Sequence, residues 1–280
     1  MAVSDLAVIN FRRKVMNRKY LLKRQGEDKR DLKFTLERIV SLPSKVDFRV
    51  ACPPVFDQGD LGSCTANAGV ATYMMLKKTN VELSRLFLYF KERMIEGTTE
   101  EDAGATMRTI GKALNTYGVC TETIWPYVKF NFNVNPPCIA DEDAATHKIV
   151  SYKKLSSITQ VKQYLAQNNL PVMIGIDVYT SFESDAVAKT GVVPMPDTIN
   201  EELLGGHAIA IVGYDDNFGK TQRSGGILSK LFDKLTGADE EDDGYFIVRN
   251  SWGADWGDEG YFYLPYEFVR KHAYDIWVLE

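Results

Sequence analysis

The stretch FIVRNSWGADWGDEGYF, residues 246–262, decides the reading of this 280-residue chain. Phe246 to Arg249 form a β-favouring run that stops at an asparagine. Asn250 therefore stands at a strand end, beside the pairs Trp252-Gly253 and Trp256-Gly257. An asparagine ahead of Ser-Trp-Gly suits a simple turn. It also carries an amide oxygen that accepts a hydrogen bond without adding a charge.

Two other stretches bear on that choice. GGHAIAIVGY, residues 205–214, sets His207 in an otherwise apolar strand. FDQGDLGSC, residues 56–64, ends in a cysteine at the mouth of a helix, with Ser63 placed as its N-cap and Gln58 six residues upstream. Singly these residues are ordinary: most buried thiols are inert, and most histidines in apolar strands only pack. Together they supply the parts that thiol catalysis needs. An ordinary thiol titrates near 8.5, so little thiolate exists at neutral pH. The first turn of a helix, with its free N–H groups, favours the anion at Cys64. An imidazole at His207 can take the thiol proton and return it to a leaving amine. Asn250 can hold the other ring nitrogen, and Trp252 can keep water off that bond. The N–H of Cys64 and the Gln58 amide suit a developing oxyanion. His147 and His272 lie in polar settings and are expected at the surface.

The motifs Q-G-x-x-G-S-C, G-H-A-x-A-x-V-G-Y and N-S-W-G-x-x-W-G-x-x-G-Y occur in that order, and the sequence resembles the papain-like cysteine peptidases over roughly residues 46–270. SRLFLYFKERMIEG and the WPY at residues 125–127 look like the shorter microbial and viral members. The resemblance implies an α+β, two-lobed fold: a helical lobe, a twisted antiparallel β-barrel lobe, and a cleft between them. It implies Cys64 as nucleophile, His207 as base and acid, Asn250 as orienter, and Gln58 with the Cys64 N–H as oxyanion donors. It sketches a roomy apolar pocket around Gly104, Met107, Gly175, Gly205, Gly206 and Ala208. The family usually has cysteine and an aromatic residue where this chain has Leu61 and Thr65, so its usual disulfides and cleft wall are not carried over. With Cys64 as a working thiol, one internal disulfide remains open, and Cys120 with Cys138 is the expected pair.

The outline along the chain agrees. Residues 1–45 form a basic extension, 46–145 a mainly helical lobe, and 146–280 a mainly β lobe with an insertion at about 215–243. Helices are expected over TANAGVATYMMLKK (with an apolar face), LSRLFLYFKERMIEG, AGATMRTIGKALNTYG and SITQVKQYLAQN. Strands are expected over KIVSYKKL, PVMIGIDVY, GHAIAIVGYD, GYFIVRNSW and EGYFYLPY. The insertion reads as a polar loop with one short helix, ILSKLFDKL. Its DEEDD run lacks the alternation of an EF-hand loop. The three histidines lie far apart and no C-x-x-C occurs, so neither metal nor cofactor is expected.

Residues 1–38 carry 11 Lys/Arg against 5 Asp/Glu, a balance of +6 in a chain whose net charge is -5. The remainder is thus -11, which marks a basic arm on an acidic body. The expected partners are a peptide or protein substrate and the arm itself, docked in the cleft as an inhibitory prosegment. Nucleic acid is not expected. No apolar run reaches the ~20 residues of a membrane span. The N-terminus lacks a secretory pattern, so a cytoplasmic site, or export without such a signal, is expected. Two other functions stay open on the same fold: a silent peptide-binding module, and an acyl transferase that delivers to an amine.

Overall fold

The computed structural model describes residues 18–35, 41–218 and 244–280. The segment ILSKLFDKL, the DEEDD run and the first 17 residues lie outside the described residues.

Helix α1 spans Cys64–Lys77, α2 Arg85–Glu96 and α3 Met107–Thr116. Four more helices follow among the described residues: α4 Cys138–Ala144, α5 Ile158–Asn168, α6 Asp185–Thr190 and α7 Tyr266–His272. The hydroxyls of Ser84, Thr106 and Ser157 cap α2, α3 and α5 by accepting from the N–H three residues on. Gly97 ends α2 in the left-handed region at φ 73°.

Helix α1 departs from the expected single apolar face. Every residue from Cys64 to Met75 is buried, because the helix runs between α2 and α3 on one side and a strand of the sheet on the other. Small residues make this close approach workable. A methyl at Gly69 would come to 2.5 Å from Ile110 Cγ2. Ser63 precedes the helix but does not cap it with its side chain; its hydroxyl instead meets Tyr127 Oη at 2.5 Å.

The strands are β1 Lys45–Asp47, β2 Tyr152–Leu155, β3 Val172–Tyr179, β4 Leu203–Asp215, β5 Tyr245–Arg249, β6 Tyr261–Pro265 and β7 Ala273–Leu279. They form one seven-stranded antiparallel sheet in the order β2-β7-β3-β4-β5-β6, with β1 on the far end of β4. Strand β7 lies between β2 and β3, and the sequence reading had no strand there.

Two main cores result. One holds the sheet residues Ile174, Ile176, Ile209, Ile211, Phe246 and Phe262 with α5 and α7. The other holds α1, α2 and α3 against Met173, Ala208, Trp277 and Leu279. Burial of such aliphatic and aromatic side chains contributes roughly 1.5–3 kcal/mol each. All four cysteines are free thiols, so the Cys120–Cys138 bridge is not formed: Cys120 is buried and Cys138 is exposed.

Candidate active site

The three stretches meet at the junction of the two cores. Cys64 opens α1 and is fully buried. His207 lies on β4 in register with Ile176 of β3. Asn250 follows β5 directly. Residues 56–58 then pair with residues 251–253: Gln58 N–H donates to Ser251 O at 2.9 Å and Gly253 N–H to Phe56 O at 2.9 Å. The guanidinium of Arg249, buried with it, donates to the carbonyls of Pro53 and Pro54 and fixes the approach of this segment. Gly253, Gly257 and Gly260 all have positive φ (80°, 66° and 87°), a backbone that residues with a Cβ resist. That is the physical reason for glycine in the pattern of the opening stretch.

His207 Nε2 lies 2.9 Å from Asn250 Oδ1. Ser251 N–H donates to the same Oδ1 at 2.8 Å, which fixes that atom as the oxygen and the ring Nε2 as the donor. Nδ1 is thereby the lone-pair nitrogen, and it has no hydrogen-bond partner among the described residues. The Trp252 ring stacks on the imidazole, centroids 5.1 Å apart and planes 23° apart. Gln58 is held at both ends of its amide: Oε1 accepts from Ser251 Oγ at 2.6 Å, and Nε2 donates to Leu61 O at 3.0 Å. Its second Nε2 hydrogen stays available.

Burial, the dominant effect, pushes the Cys64 thiol up to about 12, against the backbone N–H groups of Ala208, Thr65 and Cys64 that favour the anion. Burial also lowers His207 to about 4; the Asn250 hydrogen bond opposes this and the Arg18 charge adds to it. Thiol and imidazole are therefore both neutral across ordinary pH in this form.

The arm packs over both groups, Tyr20 against His207 and Leu22 in the cluster that holds Cys64. Residues 20–23 lie extended along the cleft. Leu22 N–H donates to Gly206 O at 3.1 Å, Gly206 N–H to Tyr20 O at 3.3 Å and Lys23 N–H to Ala105 O at 3.0 Å. Tyr20 sets its ring edge-on to His207, 6.1 Å between centroids. The sketched pocket residues gather around this segment. A methyl on Gly175 would sit 2.7 Å from Leu22 Cδ2, and Met107 and Ala208 share a core cluster with Leu22. Methyls on Gly104 and Gly205 would overlap the carbonyl oxygens of Leu21 and Tyr20. Sequence reasoning missed Tyr20, Leu22 and Ser251 as parts of the site. The N-S-W-G motif contained Ser251, but only the fold shows it holding Gln58.

Thr65, where the family has an aromatic residue, donates to Glu92 of α2 at 2.6 Å. Glu92 is wholly buried, and burial raises its carboxyl well above the usual range. The folded state thus holds a proton that the unfolded state releases above about pH 4.5. Stability from this group is full below that pH and falls as pH rises. Glu92→Gln keeps the acceptor for Thr65 and removes the titration. At pH 8 it should raise the midpoint of urea unfolding, by about 1–2 kcal/mol of stability, with no gain at pH 4.5. A loss of stability at pH 8 would contradict this account.

The fold and this constellation define a cysteine-type peptidase. The chain belongs to the papain family: the model for "Papain family cysteine protease" matches residues 42–273. It is 37% identical over 263 residues to an uncharacterized peptidase C1-like protein of Acanthamoeba polyphaga mimivirus, covering 88% of this chain and 74% of that one. It is 25% identical over 237 residues to chymopapain of Carica papaya, covering 82% of this chain and 57% of the relative. Among solved structures it is similar to xylellain, a cysteine protease from Xylella fastidiosa, at TM-score 0.78 and 33% identity, covering 94% of this chain and 96% of that one. The proform of the ragweed allergen Amb a 11 shares the fold at TM-score 0.62 and 21% identity, over 87% of this chain and 68% of that one. No helix among the described residues is long and apolar enough to cross a membrane.

Proposed function

We propose that the chain hydrolyses peptide bonds through Cys64, His207 and Asn250, and that its N-terminal arm holds the site closed. The observation that carries the reading is the His207 ring: Nε2–H is committed to Asn250, Nδ1 keeps its lone pair with no partner among the described residues, and the Cys64 thiol lies against the backbone N–H of Ala208, the next residue on β4. With the arm displaced, Nδ1 takes the Cys64 proton and the sulfur attacks the substrate carbonyl carbon. The oxygen gains negative charge and accepts from Gln58 Nε2 and the Cys64 N–H. The imidazolium then protonates the leaving amine, which departs and leaves a thioester. Water, deprotonated by the same ring, hydrolyses that acyl-enzyme. Trp252 shields the His207–Asn250 bond.

A thiol-directed peptidyl epoxide tests the assignment. The full chain carrying Tyr20→Ala and Leu22→Ala should gain one adduct on the peptide that contains Cys64, read by mass. The same chain with Cys64→Ala should gain none. An unlabelled Cys64 in the loosened chain would favour the silent binding module.

A further inference from the structure

The arm segment in the cleft is Arg18-Lys19-Tyr20-Leu21-Leu22-Lys23-Arg24. Its chemistry is the same read in either direction: Arg, Lys, three apolar residues, Lys, Arg. The two arginines are three residues either side of Leu21, and the structure gives each the same kind of seat.

Arg18 lies over the Trp252 ring, 4.2 Å from its centroid, and pairs with Glu183 at 2.5 Å. Arg24 lies over the Tyr274 ring, 4.1 Å from its centroid, and places Nη2 2.6 Å from both carboxylate oxygens of Asp177. An aromatic face below and a carboxylate beside it are what a flat guanidinium needs and an ammonium fills poorly. Lysines 19 and 23 make plain ion pairs instead, with Asp102 and Glu96. The four body residues of the two seats belong to the cleft, not to the arm. Trp252 stacks on His207, and Asp177 pairs in register with Gly206, next to it in sequence.

We infer that Glu183–Trp252 and Asp177–Tyr274 are arginine-recognition sites flanking the nucleophile, and that the peptidase selects polypeptides with arginines on both sides of an apolar core of a few residues. In this structure Arg18 and Arg24 occupy both sites in the manner of a substrate. The inference rests on the peptidase reading above for its consequence, and on contacts alone for its recognition. The near-mirror character of the segment sets the test: reversed, it still brings an arginine to each seat, but it moves the tyrosine whose hydroxyl donates to Glu183 away from that seat. The seats differ in strength. Arg18 is 15% exposed in its seat and Arg24 62%, so solvent screens the Asp177 pair more. An arginine lost at the Glu183 seat is expected to cost roughly tenfold, and one at the Asp177 seat about threefold.

The test uses fluorescein-labelled RKYLLKR, its reversal RKLLYKR, and the glutamine version QKYLLKQ. The full chain with Cys64→Ala and a loosened arm (Arg18, Tyr20, Leu22 and Arg24 all to Ala) binds them in a fluorescence anisotropy titration. Both arginine peptides should bind at least tenfold tighter than QKYLLKQ. Glu183→Gln with Asp177→Asn should remove most of that difference. Equal affinities overturn the inference. Hydrolysis of the same peptides by the chain with its own arm gives an independent ratio of kcat/KM, in which arm opening cancels, so it holds even if the altered arm misfolds. Turnover with equal kcat/KM also overturns the inference. Selective binding with no turnover of either peptide, and no labelling of Cys64, overturns the peptidase reading and upholds the recognition sites.

Discussion

Replacing Cys64 by alanine in an arm-loosened chain should leave no more than about one part in 10⁴ of kcat/KM on a peptide substrate. His207→Ala should do the same, and the double variant should be no worse than either single one. Non-additivity is the informative part. If the thiol and ring act as one unit, removing either removes the nucleophile, and what remains is oxyanion stabilisation and binding. Asn250→Ala should cost less, about 10²-fold. It leaves the ring in place with Nε2 unpaired, stacked under Trp252. A steady-state comparison of the four variants checks the ordering. Additive losses from Cys64→Ala and His207→Ala would mean that the two act separately, and the proposed triad would fail.

Loosening the arm should raise activity by about 10²-fold or more. Leu22 is 6% exposed and Tyr20 partly buried against the sheet core. Truncating both to alanine removes several kcal/mol of apolar burial on closure, and each 1.4 kcal/mol is tenfold in the open population. The substitutions replace no catalytic group; Tyr20→Ala removes only the edge-on ring that covers His207. They should also change how Cys64 reacts with iodoacetamide. With the arm seated, burial holds the thiol up to about 12 and the ring down to about 4, so alkylation should be slow throughout pH 5 to 8, with a rate that only climbs with pH. Opening readmits water, lifts the desolvation of both groups, and lets the helix end and imidazolium stabilise the thiolate. Alkylation of the loosened chain should then be fast in the same range. Equal alkylation and equal turnover in the two chains would sink the closure reading.

What the sequence disclosed depended on the range of the interaction. Cys64, Gln58, His207 and Asn250 stand out because each sits in a short local pattern; in the fold the Cys64 thiol lies against Ala208, His207 bonds Asn250, and Ser251 holds Gln58. The strands over residues 172–179 and 203–215 announced themselves through β-branched runs. Strand β7, AYDIWVL, did not: aspartate interrupts it, with Asp275 at positive φ, and α7 runs into it without a turn. Helix α1 read as having one apolar face; its polar Thr65, Asn67 and Thr72 are buried as well, Thr65 and Asn67 in side-chain hydrogen bonds. Ser63 looked like a cap, but Tyr127, 64 residues away, takes its hydroxyl. The arm showed only as a charge imbalance. Its seats lie 153 and 165 residues distant in the chain, and no local pattern records such a pairing.

The place of β7 carries a consequence for synthesis. It is hydrogen-bonded on both edges, to β2 and to β3, yet it follows every other element of the sheet. Its Trp277 and Leu279 also belong to the core that packs α1. A chain emerging from the ribosome can therefore make Cys64, His207 and Asn250 and still lack the wedge that seats helices on strands. Nascent molecules should be proteolytically harmless until β7 is released, whether or not the arm has found its groove.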